Sequence, residues 1–272
     1  MKKEERIAED KTRGVIPDRS LTEDSSCEAN YRSLSVRVGR EEFEVFLSYG
    51  FYYHKNDFSS YHSHSCYHEV IITVGNAEMI IGEELVALEG VNALVIPPNA
   101  YHKMLTTEDV EVATFFARLD TPFIKKGLPE DVTRAFLRES ERVFKTGDYS
   151  LVSPLIALIM AYLFEGELPL AAEPVDDYAF MIDAFFNLRY MEEVSLESLA
   201  EYLHVSPTHA HRLMQKHTGQ SFTEALARRR LKVADFLVKH RGMNITEAAL
   251  AVGFSGYGVF YNARKKNSDC GI

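Results

Sequence analysis

The feature that most constrains this chain is a repeated helix-turn-helix grammar between Ser195 and Lys266. In the first copy Leu196, Leu199, Ala200 and Leu203 fall at i, i+3, i+4 and i+7, one apolar stripe on a short helix. A tight His204-Val205 turn follows, and Ser206-Pro207 supplies an N-cap and the residue favoured at the first helical position. The helix it opens buries Ala210, Leu213 and Met214, leaving Thr208, His209, His211, Arg212, Gln215 and Lys216 on its other side. In the second copy Asn244 and Glu247 stand close to a capping box, and Ile245, Ala248, Ala249 and Val252 form the stripe. Gly253 allows the turn, and Ser255 can cap a last helix through Lys266. Between the copies Ser221-Phe222-Thr223-Glu224 is a full capping box for a helix rich in Arg228, Arg229, Arg230 and Lys232 that closes at Gly242. Such bihelical units place their second helix in the major groove of DNA.

The net charge of −10 argues at first against nucleic acid, but its distribution reverses that reading. Residues 204–272 hold 11 Lys and Arg against 4 Asp and Glu, a balance of +7, while residues 1–203 carry −17. A basic segment on an acidic body is an electrostatic footprint for phosphate. The three cysteines, Cys27, Cys66 and Cys270, show no pairing pattern and suggest a reducing cytoplasm. The charged start Met1-Lys2-Lys3-Glu4-Glu5 is not a signal peptide, and the apolar stretch from Leu151 to Phe164 is too short to span a bilayer.

The run from Ser195 to Ala200, then Ser206-Pro207, Gly219 and Ile245 to Ser255, resembles the DNA-binding domain of AraC/XylS transcription regulators. The resemblance covers about the last third of the chain. It implies a domain that reads two neighbouring major-groove segments through its two second helices. The DNA-contacting candidates are Ser206, Thr208, His209, His211, Arg212, Gln215 and Lys216 in the first unit, and Ser255, Tyr257, Asn262 and Lys265 in the second. One departure is Arg264, where the family usually carries Phe; the family also continues past position 272 with a closing helix. The expectation is a second unit held less firmly than the first.

Upstream, residues 1–30 bury no face and predict a mobile N-terminal arm. From Glu42 the pattern alternates, with Phe43, Val45, Leu47 and Tyr49 on one side. Strands are predicted at 70–74, 77–81, 93–96 and 110–119, with Gly75-Asn76 where a two-residue hairpin turn would sit. Short antiparallel strands at this spacing suggest a barrel or jelly roll. Helical periodicity returns at Pro129 to about Phe144 and from Ser153 to Phe164. The expected organisation is an α+β chain of arm (1–30), barrel (31–125), helical dimerisation segment (126–166), linker (167–175) and all-α domain (176–272).

The barrel carries His62-Ser63-His64, His68-Glu69 and, later, Tyr101-His102 after Pro97-Pro98-Asn99-Ala100. Period two puts His62 and His64 on one face of an extended segment, a workable start for a transition-metal site that His102 could join. These motifs look like the pair found in the cupin fold, which also forms the sensory domain of many AraC/XylS regulators. Spacing from Gly75 admits either His68 or Glu69 as the acidic-position residue, and adjacent strand residues face opposite ways, so only one of them points inward. Tyr49, Tyr53, Tyr61, Tyr67 and Tyr101 add rings with a polar tip, a lining that suits a small organic ligand such as a sugar.

Together these readings predict a cytoplasmic, non-enzymatic regulator without cofactor. Its barrel binds a small effector through His62, His64, Glu69, His102 and Tyr101. Metal is not the favoured occupant; if present, its ligands would be His62, His64, Glu69 and His102. Promoter DNA, a second copy of the chain and RNA polymerase are the expected partners. The alternative is a metal-dependent cupin enzyme fused to a DNA-binding module.

Overall fold

The computed structural model describes residues 31–48, 51–53, 59, 61–165 and 177–267, with side chains placed from residue 33 onward and not for 51–53. The expected arm, Tyr49, the side chain of Tyr53 and the expected linker therefore lie outside the described residues. Contacts divide the chain into two units, one of residues 27–59 and 63–175, the other of 176–272 joined by Ser60–His62. No helix among the described residues is long and apolar enough to cross a membrane.

The first unit opens with strands β1 (Tyr31–Val38), β2 (Glu41–Ser48) and β3 (Phe51–Tyr53). It continues with β4 (His68–Val74), β5 (Ala77–Ile81), β6 (Glu84–Leu88), β7 (Val91–Ile96), β8 (His102–Thr106), β9 (Val110–Ala117) and β10 (Ile124–Gly127). Every pairing is antiparallel. One sheet runs β1-β2-β9-β4-β7-β10 with β3 also on β9, and a smaller one runs β6-β5-β8. Among the described residues no hydrogen-bonded pair joins the two sheets, so the unit is a sandwich of the jelly-roll kind.

The central strands of the larger sheet, β4, β7 and β9, are buried on both faces. Val70, Ile72, Val95, Ala113 and Phe115 pack against Phe136 and Val143 of helix α1 (Glu130–Thr146) and Ile156 and Met160 of α2 (Val152–Phe164). Ile71, Leu94, Ile96 and Val112, offset by one residue, meet Met79, Leu88 and Met104 of the smaller sheet. That explains why these strands read as continuous apolar runs rather than alternations. The runs were legible; β1, β3, β6, β8 and β10, short or at edges and mixed in polarity, were not.

The Gly75-Asn76 turn is a correction. β4 pairs with β7 and β9 while β5 pairs with β6 and β8, so these residues carry the chain from one sheet to the other and do not close a hairpin. Gly75 has φ +123° and donates to the Gly90 carbonyl, and the Gly90 N–H returns to Asn76 Oδ1 at 3.0 Å. A Cβ at Gly75 would lie 2.9 Å from the Asp109 carbonyl oxygen, so the corner needs glycine for space as well as dihedral.

The second unit comprises α3 (Asp177–Arg189), α4 (Leu196–Tyr202), α5 (Pro207–Thr218), α6 (Phe222–Arg241), α7 (Ile245–Ala251) and α8 (Tyr257–Asn267). The caps follow the sequence closely. Ser206 accepts from the His209 N–H with Pro207 first in the helix, Ser221 and Glu224 form a reciprocal capping box, and Gly219 and Gly242 end their helices left-handed. Asn244 caps α7 by accepting from the Glu247 N–H. Ser255 does not cap α8, which starts at Tyr257, one residue later than in the first unit. Leu188 of α3 is exposed.

Both helix-turn-helix turns pass through the left-handed region, at His204 (φ 53°) and Gly253 (φ 89°). They are not equally tolerant. A Cβ at Gly253 would stand 2.5 Å from the Met191 carbonyl oxygen, a backbone atom. Gly253→Ala should therefore lower stability by about 2–5 kcal/mol, combining dihedral strain with a clash that cannot relax cheaply. The shift in the urea midpoint checks it; a change under about 0.5 kcal/mol, the scale of an ordinary surface substitution, would show that the α3–α4 connection yields.

Candidate functional site

In the first unit the strand parity that buries Ile71 inward also turns Glu69 inward, opposite Phe116 on β9 and Ile96 on β7. His68 takes the other face, where its Nε2 bonds to the Thr121 carbonyl at 2.9 Å. A carbonyl only accepts, so this nitrogen carries the proton, and burial holds the His68 pKa below its ordinary value against the opposing pull of that carbonyl and Asp120. The choice that spacing left open is thus decided by geometry in favour of Glu69.

Glu69 Oε2 lies 3.1 Å from His64 Nε2 and 2.7 Å from His102 Nε2, with all three side chains buried. His62, two residues before His64, is half-buried and groups with the helical unit. The His64 ring also packs edge-on against Phe116 at 4.7 Å. The turn before β8 sets these histidines. The Asn99 N–H donates to the His64 carbonyl at 2.6 Å, and His102 Nδ1 donates to the Ala100 carbonyl at 2.9 Å. Asn99 holds φ 64°, a conformation Asn tolerates better than most residues.

Of the tyrosines expected near this cluster, Tyr49 and the side chain of Tyr53 lie outside the described residues. Tyr67 is core, edge-on to Phe46 at 5.4 Å. Tyr61 belongs to the helical unit, its ring 5.3 Å from Phe236 and its carbonyl accepting from the Tyr190 hydroxyl. Tyr101 is half-buried next to His102. Aromatic residues close in sequence to the histidines are needed elsewhere for packing, and composition cannot separate the two uses.

In the second unit the candidate DNA contacts of α5 separate by exposure. Thr208, His211, Arg212, Gln215 and Lys216 are exposed opposite the buried Ala210, Leu213 and Met214. Ser206 is exposed but committed as the N-cap, and His209 is half-buried with its ring 6.0 Å from Tyr178. On α8, Ser255, Tyr257, Asn262 and Lys265 are exposed, as are Val259 and Tyr261, which sequence reasoning did not single out. Arg264 occupies the place that Met214 holds in the first unit. It pairs with Asp235 of α6 at 3.2 Å and lies over the Phe260 ring at 5.9 Å. A charge at an inner position is thus met by a carboxylate and a ring rather than buried alone.

The family described as "Helix-turn-helix domain" matches residues 199–270. A 95-residue stretch is 27% identical to the bifunctional transcriptional activator/DNA repair enzyme AdaA of Bacillus subtilis. The C-terminal domain is an AraC-type helix-turn-helix domain. That stretch covers 35% of this chain and 45% of AdaA, so less than half of the relative's length is matched. Among solved structures, unsaturated fatty acid-bound ToxT of Vibrio cholerae is 10% identical with a TM-score of 0.39, covering 82% of this chain and 91% of ToxT. A Listeria innocua protein is 25% identical with a TM-score of 0.30, covering 36% of this chain and 90% of its own.

Within the AraC-type domain the basic excess divides into two groups that the sequence shows as one. Arg229 binds Asn187 Oδ1 and pairs with Asp183 at 2.8 Å, both side chains of the ion pair being largely buried. Arg230 donates to the carbonyls of Tyr190 and Glu192 and covers the Phe254 ring. Burial pushes the pKa of Lys232 down, and Arg228 and Arg229 add to that. Arg229 and Arg230 are internal fastenings, whereas Arg212, Lys216 and Lys265 lie on exposed faces. Arg229→Ala should cost about 3 kcal/mol of stability by stranding Asp183, with the salt slope of DNA binding unchanged. Lys216→Ala should leave stability nearly unchanged and reduce that slope by about 1. Thermal unfolding and binding at several salt concentrations check both; the reverse assignment of effects would show that the division is wrong.

Proposed function

We propose that the chain is an effector-controlled transcription regulator that binds promoter DNA through the exposed faces of α5 and α8. The observation that carries this reading is the AraC-type domain with Arg212, Gln215 and Lys216 exposed on the second helix of its first unit. Arginine can bond guanine bidentately and glutamine can do so with adenine, which makes this face a reader and not only a phosphate clamp. The small effector, a polar molecule such as a sugar, belongs in the first unit at His64, Glu69 and His102, with Tyr101 at its margin. The protein acts in the cytoplasm, catalyses no reaction itself, and has RNA polymerase as its candidate partner at the promoter. The second reading, a metal-dependent enzyme fused to a DNA-binding module, draws on the same histidine and glutamate cluster; turnover of a small substrate that is lost with that cluster would favour it.

Selection of DNA from a random pool should enrich a defined site, and Arg212→Ala should weaken binding to it by about 1–3 kcal/mol while random DNA is affected much less. An equal loss on both would reduce Arg212 to a phosphate contact, and no enrichment would overturn the regulator reading.

A homodimer accords with α2. Leu151, Leu158 and Tyr162 fall at i, i+7 and i+11 along one side and remain exposed, while Ile156, Ile159 and Met160 fill the core. Leu158→Glu should shift sedimentation of the full chain from dimer towards monomer without unfolding it. A wild-type monomer at the same concentration would remove the dimer from this reading.

A further inference from the structure

We propose that α8 reads its half of the DNA site by apolar contact, with Tyr257, Val259 and Tyr261 closing on thymine 5-methyl groups and Gly258 letting the helix sit deep in the major groove. The inference rests on the regulator reading above and adds to it the base chemistry that the second unit selects: A·T pairs recognised through their methyl group.

The two second helices present different chemistry. Among the described residues α5 exposes no large apolar side chain, and its outer face offers Arg212, Gln215 and Lys216. α8 exposes Tyr257, Val259 and Tyr261 within its first five residues. Large apolar side chains exposed together, rather than singly, mark interaction surfaces. The Tyr257 ring stacks on the buried Phe260 ring at 6.2 Å, and the Tyr261 ring lies 6.2 Å from that of Tyr257. Tyr257 is thus propped by the core and Tyr261 by Tyr257, so little side-chain freedom is lost when the pair meets a second surface.

Nothing within the described residues calls for glycine at 258. A Cβ there would meet nothing within 4 Å beyond the helix's own backbone, and its φ is not in the left-handed region. Alanine would fit and would favour the helix. What glycine supplies is a gap on the outer side. Gly258, Asn262 and Lys265 fall at i, i+4 and i+7, opposite the buried Phe260. Tyr257 and Tyr261 border that strip on one side and Val259 on the other. A helix with a bare centre and apolar borders lets base-pair edges approach its backbone while the borders reach groups that project from them. Of the four standard bases only thymine presents a methyl group in the major groove, where apolar side chains read it, and asparagine can bond adenine bidentately. α8 holds no acidic residue, and Lys265 and Lys266 are exposed near its end, so the face suits a polyanion better than an apolar protein groove.

The test uses the full chain and the DNA site it enriches from a random pool. The half of the site whose base preference relaxes in Arg212→Ala belongs to α5, and the other half to α8. Deoxyuridine in place of thymine removes the methyl group and keeps every hydrogen-bonding group. In the α8 half, each contacted thymine so replaced should weaken binding about fourfold, the scale of one buried methyl, and in the α5 half less than about twofold. Tyr261→Ser should erase that difference at one thymine position and leave it at the rest. Gly258→Ala should unfold at the temperature of the wild type or higher, yet bind the site at least about fivefold more weakly. An enriched site with no second half overturns the methyl reading, as does deoxyuridine that costs nothing in the α8 half or equally in both; the regulator reading then stands. Gly258→Ala that binds as tightly as wild type overturns the deep approach. A pool with no enriched site overturns the regulator reading and this inference with it.

Discussion

The C-terminal domain depends on the burial of one helix, α6, against both helix-turn-helix units at once. Its apolar side, with Leu226, Leu231, Ala234 and Leu237, supplies the core that short helices such as α4 and α7 cannot make for themselves. Its cations then fix what the apolar contacts leave free to slide. Arg229 fastens α3 through Asp183 and Asn187, and Arg230 fastens the chain after α3 by carbonyls that have no helical partner. Asp235 reaches the last helix through Arg264. The close approach of Gly253 to Met191 follows from this arrangement, because the second turn lies where the connection anchored by Arg230 passes. Ion pairs on the surface contribute little; ones this buried contribute because breaking them strands a charge.

In the first unit the corresponding constraint is double burial of the larger sheet. Once one face is committed to α1 and α2 and the other to the smaller sheet, every residue on β4, β7 and β9 has its direction fixed by parity. Glu69 then has to face Phe116 and Ile96, and His68 has to face away. A one-residue slip in β4 would exchange them, placing an imidazole where the carboxylate now stands, so the site is specified by core packing some residues distant from it. The switch of sheets at Gly75 is part of the same device: β5 leaves for the smaller sheet there, so that β4 can be flanked by β7 and β9 instead of by its successor.

The helical half of the fold was nearly all legible in sequence because its signals are local. Ser206, Ser221, Asn244, Gly219 and Gly242 each satisfy a backbone group within a few residues, and a cap can be seen without knowing what the helix packs on. The sheet half was legible only where apolar runs were long. Gly75-Asn76 has the composition of a hairpin turn, and only the pairing of β4 with β7 and β9 shows that it is a corner. For the candidate site, the histidine motifs drew attention to His64, Glu69 and His102, which the structure brings together. The choice of Glu69 over His68 and the reassignment of Tyr61 and Tyr67 to packing needed tertiary neighbours. Charge behaved similarly: a count of +7 over residues 204–272 does not reveal that Arg229 and Arg230 are internal fastenings.

Arg264 shows how a local anomaly is absorbed. Its equivalent in the first unit, Met214, is fully buried, and a guanidinium cannot take that place without losing its solvation. The helix begins one residue later, at Tyr257, and has Phe260 as its buried anchor, edge-on to Phe254 at 5.5 Å. Position 264 lies at the rim, where the guanidinium reaches Asp235 and lies over the Phe260 ring. The two units therefore share a grammar but not a mode of attachment. α5 is held by three side chains pointing into the core, whereas α8 is held by one aromatic anchor and a peripheral ion pair. An attachment made partly of exposed electrostatics weakens with ionic strength, and one made of buried methylenes does not. Rising salt thus loosens α8 and weakens phosphate contacts at the same time, while α5 keeps its footing and loses only the phosphate share of its binding.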